Sequence, residues 1–284
     1  MNYRHSYHAG NFADVVKHAL QCMCLAYLRQ KDKPFWVLDS HAGIGMYDLL
    51  GEQATKTGEW QHGIAKLLAA EQVPAALDDY LAAVRSLNSN GQLRWYPGSP
   101  WLTAQQLRVD DQLTLCELHP LDSQSLRDNV AEFSAAGNVK VMAQTNGYGA
   151  IKALLPPPIK RGMVLIDPPF ELRDEFDTVV QALSDGMRRW ATATYVVWYP
   201  IKDPLTVGEF HQQVAAITGV EKLFATDVLV RSAVDRTKLN GCGMLFINPP
   251  YGVTSQAAEV LAFLTPLLAQ DRGAQWQAHW LKGE

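Results

Sequence analysis

Cysteine is scarce in this sequence and badly spaced for chemistry: Cys22, Cys24, Cys116 and Cys242 include no CxxC pair. That spacing argues against both a disulfide framework and a zinc site, and the thiols read as reduced core residues. Long apolar runs are missing too. No stretch approaches the ~18 apolar residues of a membrane span, and Met1 is not followed by a basic region and an apolar run, so a soluble cytoplasmic chain without an export signal is expected. Excess positive charge is also absent. Lys+Arg 25 against Asp+Glu 29 leaves a net charge of -4, so any nucleic-acid contact has to come from a local patch. What remains is an ordinary globular balance, 48% hydrophobic and 19% charged over 284 residues. This suits one large α/β domain, or a domain with a satellite.

Short apolar runs, each ending in a polar or turn residue, recur along the chain at 35–39, 113–117, 139–142, 163–167, 194–199, 227–230 and 244–248. Most are too continuously apolar for half-exposed strands, and helix-like stretches such as 122–133 and 175–190 lie between them. The pattern predicts a doubly wound, mainly parallel α/β sheet covered on both faces. Successive strand ends from 117 to 230 are separated by about one strand–helix unit of roughly thirty residues. Two intervals depart from that. Between 39 and 117 there are roughly 48 residues too many, and the three- and four-residue spacing of Ile64, Leu67 and Leu68, then of Leu77, Leu81 and Val84, predicts a helical insertion over 50–95 within a single domain spanning 1–284. Between 230 and 248 the chain is too short for a crossover helix, which predicts a hairpin through 231–243 and an antiparallel last strand. Ahead of the first strand, Asn11 is placed to cap a helix whose apolar stripe runs from Phe12 through Val16, Leu20 and Met23, with Lys17 and His18 at its edge.

The chemistry collects at the strand ends. Asp39-Ser-His-Ala-Gly43-Ile-Gly45 follows the first strand, where glycine permits a tight turn and close approach of a ligand. Asp48 fills the third glycine position of the dinucleotide fingerprint, which weakens a nicotinamide reading. Glu117 ends the second strand, and discounting the insertion brings it to about the ~20-residue spacing of an acid that accepts hydrogen bonds from ribose hydroxyls. Pro97-Gly98-Ser99-Pro100 reads as a helix start with Ser99 as cap, able to hold the carboxylate of an amino-acid cofactor or simply to cap. Asn146-Gly147 could set a side-chain amide beside an adenine ring, or be a turn. Asp167-Pro168-Pro169-Phe170 is the strongest feature. An exocyclic amine on a heteroaromatic base is a poor nucleophile because its lone pair is delocalised. A carboxylate and a backbone carbonyl that accept its two hydrogens, beside an aromatic ring that stacks on the base, help to re-pyramidalise the nitrogen. Asn248-Pro249-Pro250-Tyr251 fits the same loose pattern, but strand counting puts it at the sheet's far side, and it is expected to be structural.

Taken together these segments resemble the S-adenosylmethionine-dependent N6-adenine methyltransferases, and more closely the RlmJ family of bacterial 23S ribosomal RNA adenine-N6 methyltransferases. The likeness covers nearly the whole chain, including the opening Tyr3-Arg-His-Ser-Tyr-His-Ala-Gly-Asn, Tyr96-Pro-Gly-Ser-Pro100, Glu117-Leu-His-Pro120, Leu165-Ile-Asp-Pro-Pro169 and Trp198-Tyr-Pro200. It implies a monomeric enzyme with a Rossmann-like sheet, a small helical insertion, S-adenosylmethionine as cofactor, 23S rRNA as partner and no metal. By the same resemblance His18, His41, Ser99, Glu117, Asn146 and Gly147 match cofactor-site positions, and Asp167 is the catalytic aspartate at the edge of that site. Tyr3, His5 and Lys17 match positions that engage substrate, and Pro168 and Phe170 those that hold the base. Asn146 stands where the family has aspartate and Phe170 where it has tyrosine, which removes a charge and a hydroxyl respectively.

Other readings stay open on sequence alone: methylation of DNA adenine or of a protein glutamine, or a noncatalytic RNA-binding protein that keeps this fold. The three histidines His5, His8 and His18 match no strong zinc motif. Arg4, Lys17, Lys160, Arg161, Arg231, Arg236 and Lys238 are the candidates for a basic rim beside the pocket.

Overall fold

The computed structural model describes residues 4–133 and 135–284, so the Tyr3 assignment lies outside the described residues. Helix α1 (Phe12–Arg29) opens the fold. Asn11 caps it by accepting hydrogen bonds from the amides of Ala13 and Asp14, as its sequence predicts. The helix is buried around most of its circumference, its polar residues Asp14, Lys17, His18 and Gln21 included. Those four residues face partners inside the molecule rather than solvent.

The chain then alternates strand and helix: β1 (Trp36–Asp39), β2 (Met46–Asp48), α2 (Glu52–Thr57), α3 (Ile64–Ala69), α4 (Asp78–Ser86), β3 (Trp95–Pro97), α5 (Ser99–Ala104), β4 (Gln112–Glu117), α6 (Pro120–Ala131), β5 (Asn138–Ala143), α7 (Gly147–Leu154), β6 (Gly162–Ile166), α8 (Glu175–Arg189), β7 (Thr194–Ile201), α9 (Pro204–Ala215), β8 (Leu223–Leu229), β9 (Gly241–Ile247), α10 (Tyr251–Leu268) and β10 (Gln275–Lys282). Eight strands form one sheet in the order β10-β8-β9-β7-β6-β1-β4-β5, while β2 and β3 pair as a separate antiparallel ribbon. From β5 to β7 the strands are parallel. Strand β9 enters antiparallel between β7 and β8, fed by the expected hairpin.

This order places the switch point at β1, whose neighbours β4 and β6 lead the chain to opposite sides, and a crevice opens there beyond the carboxyl ends of the strands. Apolar side chains cover both faces of the sheet. One layer includes Val16, Leu20, Val37, Leu115 and Met244, and the other Leu38, Ile166, Val197 and Phe210. Ile64, Leu67, Leu77 and Val84, from the stretch between β2 and β3, join the first layer.

Two elements go beyond the sequence expectations. The ribbon β2–β3 has only three residues per strand, too few for periodicity to show. Strand β10 follows β9 and pairs antiparallel to β8 at the sheet edge, so Met244 to Asn248 does not end the last strand. Its signal is the alternation of half-buried Trp276, Ala278 and Trp280 with polar residues, typical of an edge strand rather than a continuous apolar one. Because β9 runs antiparallel, Asn248 emerges at the end of the sheet opposite Asp39 and Asp167. There its amide donates to the carbonyls of Ala191 and Ala193, a structural role.

Candidate active site

The crevice is a cavity of about 830 Å³. It gathers every described residue assigned to the site from sequence: His5, Lys17 and His18 from the N-terminal segment and α1; His41 after β1; Ser99 on α5; Glu117 at the end of β4; Asn146 and Gly147 at the start of α7; and Asp167, Pro168 and Phe170 after β6. Residues more than a hundred positions apart meet because parallel strands all deliver their carboxyl ends to one side of a sheet.

Glu117 shows how the long stretch between β1 and β4 is brought back on itself. Its carboxylate accepts from the amide of Gly43 at 2.9 Å, 74 residues away in sequence, and from that of His119 at 2.7 Å. Each oxygen keeps a lone pair for a hydroxyl, and burial raises the carboxyl above its ordinary range. Gly43 has φ 61°, and a side chain there would meet the Tyr47 hydroxyl at 2.4 Å. Gly147 is tighter still, since a Cβ would lie 1.9 Å from the Ser40 carbonyl oxygen. Glycine is therefore required at both positions for the β1 and α7 loops to approach each other and the cavity.

Each polar group has a defined role in this wall. Ser40 donates to the Leu165 carbonyl at 2.8 Å, which spends its only hydroxyl proton, so His41 Nδ1, 2.8 Å from the same oxygen, is the donor of that contact and its Nε2 is left as an acceptor. Burial lowers the His41 pKa to about 4, which keeps the ring neutral. His18 bonds the Tyr96 hydroxyl at 2.7 Å, and Tyr96 bonds that of Tyr80 at 2.8 Å. Burial, reinforced by Lys17, holds His18 neutral with its pKa well below the usual value, and its Nε2 is buried without a hydrogen-bond partner.

Ser99 does not act as the cap expected of it. It is the first residue of α5, and its hydroxyl donates to Asp39 Oδ2 at 2.6 Å. Ser99 falls one position inside the helix, with Gly98 at the cap, and its hydroxyl donates instead to a fully buried aspartate at the end of β1. With six residues α5 has little macrodipole, so its contribution to the site is this hydroxyl. Asn146 caps α7 by accepting from the Gly149 amide at 3.1 Å, which leaves its NH₂ donors as its main unspent hydrogen-bonding capacity.

At the other end of the cavity Lys17 bridges two carboxylates, reaching Asp167 Oδ2 at 2.6 Å and Asp14 at 2.9 Å. Asp14 also bonds His5 at 2.9 Å and the Gly10 amide at 2.9 Å. Burial alone would lower the lysine pKa, but the two carboxylates override it and hold the ammonium well above the ordinary lysine range. Burial would likewise raise Asp14, but the charges of His5 and Lys17 keep it well below the carboxylate range. Phe170 sits at φ 48°, a left-handed conformation costly for a bulky residue, by about 1–3 kcal/mol. It is held there by Phe176 and Trp198, with ring centroids at 4.8 and 5.8 Å.

Several wall residues were not singled out in the sequence. Asp14 reads there only as part of a helix start, yet it anchors Lys17. Tyr148 packs edge-on against His41 and donates to the buried Glu175 at 2.6 Å, tying the α7 loop to the helix that follows Phe170. Trp198 and Lys202 line the wall from β7 and its exit. Trp198 enters the sequence reading only inside the Trp198-Tyr-Pro200 likeness, and Lys202 only as a residue just past a strand end.

A search of known proteins adds an independent observation. Residues 32–282 match the family model described as ribosomal RNA large subunit methyltransferase D, RlmJ. The chain belongs to this family. Over their full lengths it is 40% identical to the ribosomal RNA large subunit methyltransferase J of Haemophilus influenzae and 39% identical to that of Escherichia coli. A crystal structure of a Legionella pneumophila protein superposes with a TM-score of 0.87 at 34% identity, covering 96% of this chain and 98% of that one. RlmJ membership agrees with the sheet order and with the resemblance carried by the motifs. No helix among the described residues is long and apolar enough to cross a membrane.

Proposed function

We propose that the protein transfers a methyl group from S-adenosylmethionine to the exocyclic N6 of an adenine in 23S ribosomal RNA. The observation that carries this reading is the convergence of Asp167-Pro-Pro-Phe170 and the Gly43–Glu117 loop pair in one cavity.

The wall suits the cofactor. Partnerless His18 Nε2 is a buried polar atom in want of a ligand, Gly43 lines the cavity in a left-handed turn, and the carboxylates around the cavity favour a sulfonium cation. His18, His41, Ser99, Glu117, Asn146 and Gly147 would hold the group, with Glu117 on the ribose hydroxyls and Asn146 beside the adenine. When bound, it supplies an electrophilic methyl group.

The chain's own residues do the rest. Lys17 occupies Asp167 Oδ2, so Oδ1 accepts one amine hydrogen while the Pro168 carbonyl accepts the other. Phe170 stacks on the base, and the fixed nitrogen can then be held in line with the methyl. The target adenine has to leave its stack to enter. His5 and Lys17 shape the substrate end of the cavity, and neutral His41 competes for no proton. The chain acts as a cytoplasmic monomer of one domain, with residues 50–95 an insertion that shares its core.

Tritiated cofactor offered with 23S rRNA, DNA and protein in separate reactions tests the reading: label is expected in rRNA as N6-methyladenine. Label only in DNA or protein, or none in any acceptor, would overturn it.

Cofactor affinity is expected to depend on pH through Asp39. Burial pushes its pKa up to about 7, against the Ser99 hydrogen bond that opposes it. A cationic cofactor nearby favours the carboxylate form, so below pH 7 binding has to release a proton. The dissociation constant should therefore rise up to tenfold per pH unit as pH falls below about 7 and flatten above it. Asp39→Asn should lose this dependence, measured by calorimetric titration between pH 5.5 and 8.5.

A further inference from the structure

If an adenine is drawn into the cavity, its ribose and both flanking phosphates stay at the mouth, and something there has to tolerate their charge. The rim is uneven in this respect. Acidic residues line it toward α1, β1 and β4 as Asp14, Glu117 and Asp122 and after β6 as Asp167, Glu171 and Glu175, and Lys17 is spent on two carboxylates. Lys202, at the exit of β7, is the remaining lysine of the lining among the described residues, and it is exposed.

Beside it stands the β8–β9 hairpin. Leu239 lines the cavity, Lys238 is the preceding residue, and Arg236 lies two further back. Both cations are exposed at 61% and 63% of their side-chain surface. Their partners, Asp235 for Lys238 at 3.5 Å and Asp203 for Arg236 at 3.2 Å, make surface ion pairs. Such pairs contribute little and exchange readily for a phosphate.

The hairpin is also fixed in place. Buried Asn240 donates from its side chain to the carbonyls of Lys202 at 2.9 Å and Asp235 at 2.8 Å, and from its backbone to that of Ile201. The carboxylate of Asp271 accepts from the Ser232 amide at the other root. The cations are therefore presented on an anchored support rather than a free loop, and less ordering entropy is lost on binding.

We infer that Lys202, Arg236 and Lys238 form a clamp for the RNA backbone, so that the substrate strand leaves the cavity over the β7 exit and the β8–β9 hairpin, where exposed cations stand beside the mouth. The assignment rests on the rRNA methyltransferase reading and deepens it. It also sorts the basic residues found in the sequence. Lys160 and Arg161 precede β6, at the opposite end of the sheet, where the Arg161 guanidinium donates to the carbonyls of Leu28 and Lys33, so neither belongs to the rim. Arg4 is held by Asp122.

The test is binding of a 23S rRNA fragment by fluorescence anisotropy across a salt series. A Lys202→Gln, Arg236→Gln, Lys238→Gln triple variant should bind at least about tenfold more weakly near 0.1 M salt. Its log–log salt slope should be shallower by about 2, as for the loss of roughly three phosphate contacts to a single strand. Cofactor affinity should be unchanged, which reports an intact fold. A control that removes the same charge at the far end, Lys31→Gln, Lys33→Gln, Lys160→Gln, should bind RNA as the unmodified protein does. An unaltered hairpin variant, or a control equally impaired, would overturn the clamp. Methyl transfer is scored separately in the same preparations: its absence from the unmodified protein would overturn the enzymatic reading, while the binding series still decides the hairpin.

Discussion

Asp167→Ala should fold, bind S-adenosylmethionine and lose methyl transfer, with kcat down by roughly 10²–10³-fold, equivalent to about 3–4 kcal/mol of transition-state stabilisation. The effect is large because the carboxylate acts where charge develops. The amine nitrogen becomes cationic as it is methylated, and Asp167 is the carboxylate that the DPPF motif presents beside it. The fold should survive because Lys17 keeps Asp14 as a partner when Asp167 is removed, so no buried charge is stranded. Single-turnover methylation of an rRNA fragment, with cofactor binding measured alongside, checks both halves. An Asp167→Ala variant with full activity would remove Asp167 from the mechanism. Asp167→Asn should fall between, because its carbonyl still accepts a hydrogen bond but carries no charge.

Lys17→Met should have the largest effect on stability. It removes the ammonium from Asp167 and leaves Asp14 with only His5 and the Gly10 amide, the two side chains being 16% and 2% exposed, and removing one partner of a buried ion pair costs about 3–5 kcal/mol. For a chain of this size that corresponds to a fall in Tm on the order of 10 °C. The pH dependence has a definite sign. In the unmodified protein Asp14 is held below its unfolded pKa, so its contribution is fully present above about pH 4 and is lost as pH falls through the folded value. Without the lysine Asp14 loses part of what holds its folded pKa down and is repelled by Asp167, so the stability it contributes above about pH 4 shrinks. The gap between the two proteins should therefore be widest near neutral pH and close toward pH 4. Thermal melts across that range measure it, and a gap independent of pH would mean that Lys17 acts through packing alone. Asp14→Asn added to Lys17→Met should recover part of the loss.

These two expectations draw on different levels of information. Asp167 was legible in sequence because its chemistry is local: a strand end, two prolines and an aromatic ring in succession. The same holds for Asn11 as a cap and for the glycines at 43 and 147, whose backbone requirements belong to single residues and their neighbours. Strand β10 was not legible as a continuous apolar run because an edge strand buries only every other residue. Ser99 reads as a cap, but the fold places it inside α5 and brings Asp39 within 2.6 Å to accept its hydroxyl.

By itself the sequence determined that the fold is a doubly wound sheet, and it located a helix-patterned surplus between the first strands and an acidic, proline-rich motif at a strand end. Periodicity, spacing and local turn chemistry decide these, and all three operate over a few residues to a few tens of residues. Only the tertiary structure decided that Lys17 from the first helix locks Asp167, that Glu117 closes on Gly43 across 74 residues, and that Asn248 lies at the wrong end of the sheet to compete. It also put Lys202 in the cavity lining and Lys160 and Arg161 at the other end of the sheet. A side chain's partner across the molecule, and the end of the sheet at which it emerges, depend on strand order and direction, and no short stretch of sequence carries that information.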